Sequence, residues 1–312
     1  MAGTYSEIPE NYSEIESFLE TNIESMISII IRSKKIFFYD TCSFRRHSNL
    51  AQNEMRKLAE YFKSEDTAIV ITRCILMELA SVSGRMNEEY IEYLSELSNN
   101  GLKIILLDEE SLFDILSECF STNIKVNEYL CWAVRMSKSP VSTITQTLND
   151  NKKLCEEVLG GKRLNQSDLY KRFFSEVRKN KEHSDNLGEE LIGICVHILS
   201  HLPGIKDGKL CIITDDKGAA GNIDKLMRRT NAQFKGAKVV LFSTPKLVQC
   251  MYQNHIVLTE DEMNEILSKG TSGNLVIMGM TMYDLEVDKS ISITSKELVK
   301  QIIKPNGIHI VF

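Results

Sequence analysis

The stretch IFFYDTCS, residues 36–43, decides how this chain folds. Its first four residues are apolar without interruption, which predicts a short strand buried on both faces. The apolar run ends at Asp40, which is followed by three small polar residues. Ligands of parallel sheets bind just beyond the carboxyl ends of the strands. Asp40 is therefore the first candidate functional residue.

Short apolar runs of the same kind recur along the chain and alternate with segments of helical period. The further strands are predicted at 68–71, 102–107, 210–213 and 238–242. The helices between and around them are predicted at 12–33, 49–63, 73–82, 87–98, 188–202, 222–231 and 245–253. This alternation predicts an α/β fold, a three-layer α/β/α sandwich around a mainly parallel sheet.

The pattern also predicts how the chain is organised. An acidic, helical N-terminal segment spans 1–33, and the α/β domain spans 34–255. Within that domain, 110–186 is polar and helical without a confident strand, and we interpret it as an insertion. Residues 256–312 form a small α+β C-terminal appendage. Its helices are predicted at 260–268 and 295–303, and its strands at 274–283, 290–293 and 308–312.

Composition excludes several classes of protein. The 312 residues carry a net charge of −6, and six Glu without any Lys or Arg fall within residues 1–25. The eight Cys include no closely spaced pair, which favours a reducing, cytoplasmic compartment and argues against a zinc ribbon. His197 and His201 have a spacing that can bind zinc, but no HExxH motif surrounds them. Neither a signal peptide nor a membrane span is expected.

Three further acids share the position of Asp40 at strand ends or helix starts. Glu78 lies in the start of the helix that follows the second strand, Glu189 opens the helix at 188–202, and Asp216 follows the fourth strand. Converging carboxylates repel each other unless a cation neutralises them. Oxygen ligands without His or Cys suit Mg²⁺ or Mn²⁺.

These motifs, in this order, resemble the PIN domain, a superfamily of metal-dependent nucleases. The resemblance covers roughly 34–255 and rests on YDTCSF at 39–44, ILMELA at 75–80, GEELIG at 188–193 and IITDD at 212–216. It implies a PIN-like fold and hydrolysis of a phosphodiester by Mg²⁺ or Mn²⁺. The catalytic, metal-binding residues that it implies are Asp40, Glu78, Glu189 and Asp216. Two departures from the family are the long gap between the second and third acids and the use of Glu as the third acid.

The resemblance leaves some positions open and suggests others for the substrate. Glu190 and Asp185 compete with Glu189 for the third position, and Asp215 competes with Asp216 for the fourth. Basic stretches at 152–183 and 217–246 suit a phosphate backbone. The candidate substrate-binding residues are Thr41, Ser43, Arg45, Arg46, Thr214, Lys217, Arg228 and Arg229.

The sequence therefore predicts a metal-dependent nuclease, and RNA is expected rather than DNA because the resemblance implies mostly ribonucleases. The alternative is a PIN-like fold that binds nucleic acid or assembles without catalysis. A metal-dependent phosphatase or phosphotransferase is a third class, although the DxDxT signature is absent at Asp40. The insertion and the appendage are expected to govern the choice of substrate, of a protein partner or of a second copy of the chain.

Overall fold

The computed structural model describes residues 5–120, 123–137, 142–160, 167–281 and 290–312. A six-stranded sheet forms its centre, and all neighbouring strands in it are parallel. The strands are β1 (Leu19–Glu20), β2 (Lys35–Tyr39), β3 (Thr67–Thr72), β4 (Lys103–Leu107), β5 (Leu210–Ile213) and β6 (Val240–Phe242). Their order in the sheet is β1-β4-β3-β2-β5-β6. After β2 the chain adds β3 and β4 on one side of that strand, and it then crosses to the other side to add β5 and β6.

Helices connect these strands. The first set is α1 (Ile23–Arg32), α2 (Thr41–Ser48), α3 (Gln52–Ser64), α4 (Arg73–Ala80) and α5 (Glu88–Asn99). The second set, in the segment interpreted above as an insertion, is α6 (Leu112–Cys119), α7 (Asn123–Ser137), α8 (Thr143–Asp150), α9 (Lys152–Gly160) and α10 (Ser167–Lys179). The last set is α11 (Leu187–Leu199), α12 (Lys217–Asn231) and α13 (Thr244–Gln253). Short 3₁₀ helices lie at Tyr12–Glu14, Glu16–Phe18 and Glu109–Ser111.

The C-terminal appendage has the predicted mixture of elements. It consists of α14 (Glu260–Ser268), β7 (Leu275–Thr281), β8 (Ser290–Ile293), α15 (Ser295–Ile303) and β9 (Ile308–Ile310). The three strands form an antiparallel sheet with β7 in the middle. The end of the strand predicted at 274–283 lies outside the described residues.

The α/β class and the parallel sheet are confirmed, but two local predictions are wrong. The helix predicted over 12–33 is real only from Ile23, where the side chain of Asn22 caps it by accepting from Ser25 N at 3.0 Å. Before it, β1 joins the sheet edge beside β4. Helix α2 was missed because its start depends on a cap, the Asp40 carboxylate, rather than on an apolar period.

The insertion and the appendage pack into the same core as the sheet. Phe173 and Phe174 of α10 and Leu298 of α15 are fully buried members of one continuous apolar cluster. Lys246 of α13 also donates to the carbonyl of Val311 at 2.9 Å. Both additions are therefore fixed relative to the strand ends. Among the helices of the described ranges, none is long and apolar enough to cross a bilayer.

Candidate active site

The central strands β2 and β5 deliver the first and last predicted acids to one crevice. Asp40 follows β2 directly and Asp216 lies three residues after β5, and the two strands pair through Tyr39 and Ile213. A crevice forms where the connections on either side of a parallel sheet diverge, and β2 and β5 flank that position here.

Asp40 is buried and held firmly in place. One carboxylate oxygen accepts from Thr41 N at 2.7 Å, and the other accepts from Thr214 Oγ1 at 2.8 Å and from the Cys42 thiol at 2.9 Å. Burial raises the pKa of Asp40 above its ordinary value, while these hydrogen bonds lower it and the Asp216 charge raises it further. The carboxylate is therefore fixed in orientation but lacks an ion-pair partner in the described part of the chain.

Glu78 reaches the same crevice from α4. It accepts a hydrogen bond from the Thr41 hydroxyl, and its Oε1 lies 3.1 Å from the Lys181 ammonium. Arg45 donates to the main-chain carbonyl of Glu78 at 2.7 Å and so ties α2 to α4. Burial raises the pKa of Glu78, and Lys181 opposes that change.

Glu189 lies in the first turn of α11, and this helix approaches Glu78 very closely. The preceding residue is Gly188, where a Cβ atom would lie 2.7 Å from Glu78 Oε1. Burial raises the pKa of Glu189 to about 8, and the charges of Asp40, Asp216 and Glu78 add to this effect. No described side chain or amide donates a hydrogen bond to its carboxylate.

All four predicted acids line one cavity of about 300 Å³. They come from positions far apart in the sequence, and the sheet and its flanking helices bring them together. The other lining residues are Tyr5, Thr41, Cys42, Arg45, Ser81, Val82, Lys181, His183, Ser184, Asp185 and Gly188.

The four acids of this cavity offer carboxylate oxygens, which are the ligands that suit a hard divalent cation. The close packing of Gly188 against Glu78 also places Glu78 and Glu189 on the same wall of the acid cavity. In the described ranges, however, no three His, Cys, Asp or Glu side chains already lie close enough to hold one ion. Asp40 and Asp216 are held by their hydrogen bonds, so ion binding requires Glu189 to turn towards them, and no described hydrogen bond holds Glu189 back.

Asp215 faces away from that cavity. It accepts from Ser43 Oγ at 2.9 Å and from Thr244 N at 2.8 Å, and Arg46 lies 3.3 Å from it. Burial would raise the pKa of Asp215, but Arg46, His47 and the Thr244 hydrogen bonds outweigh burial and lower it. These contacts support a structural role for Asp215, which fixes α2 and α13 to β5.

The rivals for the third acid lie on either side of Glu189. Glu190 accepts from Ser142 Oγ at 2.8 Å and lines a separate cavity of about 120 Å³, although burial raises its pKa to about 7. Asp185 lines the acid cavity, where it pairs with Lys181 and accepts from Thr143 Oγ1 at 2.9 Å.

The predicted substrate-binding cations are distributed around these cavities. Arg45 lines the acid cavity, and its buried Nε has no hydrogen-bond partner in the described part of the chain. Arg46 donates to the carbonyl of Leu267 at 2.6 Å, and with Lys217 it lines a neighbouring cavity of about 480 Å³. Arg229 lines the smaller cavity beside Glu189. By contrast, Arg228 points to solvent with 80% of its side chain exposed and pairs with Asp224.

The predicted hydroxyl residues each bind a carboxylate. Thr41 donates to Glu78, Ser43 to Asp215 and Thr214 to Asp40. A contact with substrate stays a prediction for all three. Lys181 was not predicted at all, because it lies among many Lys and Arg residues of the insertion and no local motif distinguishes it.

His47 in α2 and His197 in α11 are fully buried, and His201, two residues after α11, is half-buried. The ring of His47 bonds Tyr39 and Thr244, both at 2.9 Å, whereas neither nitrogen of His197 has a partner in the described ranges. His201 stacks on Tyr129 with ring centres 4.0 Å apart. Burial lowers the pKa of His47 and His201 to about 4 and, with the His201 charge, that of His197 to about 3. His197 therefore packs as a neutral core residue, and His201 as a neutral residue at the edge of the core.

Comparison of the chain with known proteins finds no matching family model, no similar curated protein and no similar solved structure.

Proposed function

We propose that this protein is a divalent-metal-dependent nuclease and that RNA is its substrate. The observation that carries the proposal is the gathering of Asp40, Glu78, Glu189 and Asp216 into one cavity at the carboxyl end of a parallel sheet. The rise of the Glu189 pKa to about 8 supports it, because that rise follows from burial beside the other acids. Such an arrangement is costly without a cation, so a role in metal binding explains why the acids are placed together.

Mg²⁺ or Mn²⁺ held by Asp40, Glu189 and Asp216, with Glu78 beside them, would activate a water and neutralise charge on the phosphate. The protein's own residues do the rest. Asp40 is kept in one orientation by Thr41, Cys42 and Thr214. Arg45 lines the cavity, and its guanidinium brings a positive charge to the wall that suits a phosphate group.

The cavities beside the acids supply a path for a chain of nucleotides. Glu189 is shared by the acid cavity and the smaller cavity with Arg229, and Asp216 is shared by the acid cavity and the larger one with Lys217. A single strand that crosses the acids would therefore meet a cation on each side. Positive side chains along a groove are typical of single-strand binding.

The test is an assay of labelled single-stranded RNA and DNA with the wild-type protein, in Mn²⁺ and in EDTA. We expect cleavage of RNA in Mn²⁺, slower or absent cleavage of DNA, and no cleavage in EDTA. Asp40→Asn should abolish cleavage while the circular dichroism spectrum stays unchanged. RNA binding without cleavage, in Mn²⁺ and with wild-type protein, would instead favour the non-catalytic alternative.

A further inference from the structure

A cation of the protein itself lies inside the acid cavity. The side chain of Lys181 is 2% exposed, and its ammonium lies 3.1 Å from Glu78 Oε1. It also pairs with Asp185 and donates to the main-chain carbonyl of Glu182 at 3.1 Å. A lysine ammonium has three N–H donors, so these three acceptors use all of them. Lys181 is therefore fully engaged and has no donor left for a substrate phosphate.

The fold holds Lys181 in this place through the end of α10. Arg178, three residues earlier, is 2% exposed and lies 2.6 Å from Glu109, whose side chain is itself fully buried. The same guanidinium pairs with Glu110 at 2.7 Å and with Asp108 at 3.1 Å. A buried arginine that pairs with several carboxylates fixes geometry because its planar guanidinium admits few orientations. The insertion thus delivers Lys181 to Glu78 on a rigid support.

Lys181 divides the acids of the cavity into two groups. Glu78 and Asp185 share the ammonium between them. In the described part of the chain, no Lys or Arg forms an ion pair with the other three acids, which are Asp40, Glu189 and Asp216. Only the second group lacks a cationic side chain as a partner, although Asp216 also caps α12 by accepting from Gly218 N at 2.6 Å and Ala219 N at 3.1 Å.

We propose that Lys181 takes the place of one of two metal ions, so that this site binds a single divalent cation on the side of Asp40, Glu189 and Asp216. The inference rests on the proposed function and specifies its cofactor stoichiometry. Two-metal sites place their ions about 3.5–4 Å apart. An ammonium already seated between Glu78 and Asp185 occupies the space and satisfies the charge that a second ion would need. Lys181 then supplies a fixed positive charge that no chelator removes.

The test counts the ions bound at saturation. Metal-free protein is titrated with Mn²⁺ at pH 7.5 by isothermal calorimetry, and equilibrium dialysis with metal analysis gives the stoichiometry independently. We expect one Mn²⁺ per wild-type chain. Lys181→Met removes the ammonium and leaves Glu78 and Asp185 unpaired, so this variant should bind two. The matched control is Lys179→Met, at a lysine two positions away whose side chain is 62% exposed, and it should bind one.

The outcomes separate this inference from the proposed function. Two Mn²⁺ ions per wild-type chain, or one ion in a folded Lys181→Met variant, would overturn the role of Lys181 and leave the nuclease proposal standing. No Mn²⁺ bound to wild type would overturn both. If Lys181→Met does not fold, Lys181→Gln, which also removes the charge, takes its place and should bind two ions, whereas Lys181→Arg, which keeps the charge, should again bind one.

Discussion

Replacing Glu189 with glutamine should stabilise the metal-free protein, and more so at high pH. Glutamine has nearly the shape of glutamate but never carries a charge. In the wild-type protein, ionised Glu189 lies partly buried beside Asp40, Asp216 and Glu78, and no described residue donates a hydrogen bond to it. Folding therefore opposes the ionisation that glutamate undergoes freely in the unfolded chain.

The size of the effect follows from the pKa. The pKa of Glu189 rises from 4.5 to about 8, and one unit corresponds to about 1.4 kcal/mol, so the full difference is roughly 5 kcal/mol. Because the side chain is partly open to solvent, we discount this to about 2 kcal/mol. The folded pKa lies above the unfolded one, so stability present at low pH is lost as the pH rises from 4.5 through about 8.

The assay is thermal unfolding in EDTA at two pH values. About pH 5.5 lies between the unfolded and folded pKa values of Glu189, and about pH 8.5 lies above both. The melting temperature of Glu189→Gln should exceed that of wild type, and the gap should widen by roughly 4 °C at the higher pH. The exposed Glu92→Gln variant is the control and should show no such widening. Saturating Mn²⁺ should stabilise wild type but not Glu189→Gln. A gap that does not change with pH would refute the idea that the acids repel each other.

Three other results are expected. Gly188→Ala should abolish Mn²⁺-dependent cleavage, because its Cβ would meet Glu78 at 2.7 Å, whereas Gly221→Ala, with open space around it, should remain active. Arg229→Ala should flatten the salt dependence of RNA binding by up to about one phosphate contact, and the outward-facing Arg228→Ala should not; equal slopes for both would place the strand elsewhere. His47, His197 and His201 have lowered pKa values, so the unfolded chain binds more protons below about pH 6.5 and stability falls with acidification. His197→Leu should make the melting temperature less sensitive to pH between about 6.5 and 4.5. An unchanged pH profile would contradict the conclusion that His197 is buried in its neutral form.

The sequence predicts the sheet well because its strands are buried on both faces. Runs such as 36–39 and 210–213 leave few alternatives to a central parallel strand, and the structure confirms them. The rule that ligands bind at carboxyl strand ends then suffices to select Asp40 and Asp216. Elements whose existence depends on a cap or an edge contact, such as α2 and β1, are not visible in the apolar pattern.

Long-range contacts explain what the sequence could not resolve. Adjacent acids such as Asp215 and Asp216 have the same local pattern. Only tertiary contacts show that Asp215 pairs with Arg46 and accepts from Thr244, whereas Asp216 caps α12 and lines the acid cavity. Likewise, Lys181 acquires its importance from Glu78, which is about a hundred residues earlier in the chain. Such pairings depend on tertiary packing, so no local pattern announces them.

The most direct test of this account compares cleavage of labelled RNA in Mn²⁺ by Glu189→Gln and Glu190→Gln. The two residues are adjacent in α11 and both have raised pKa values, but only Glu189 lines the acid cavity, whereas Glu190 is bonded to Ser142. We predict that Glu189→Gln lowers the cleavage rate by at least about 100-fold and that Glu190→Gln stays within about threefold of wild type. Full activity of Glu189→Gln, or loss of activity in Glu190→Gln alone, would contradict the assignment of the site.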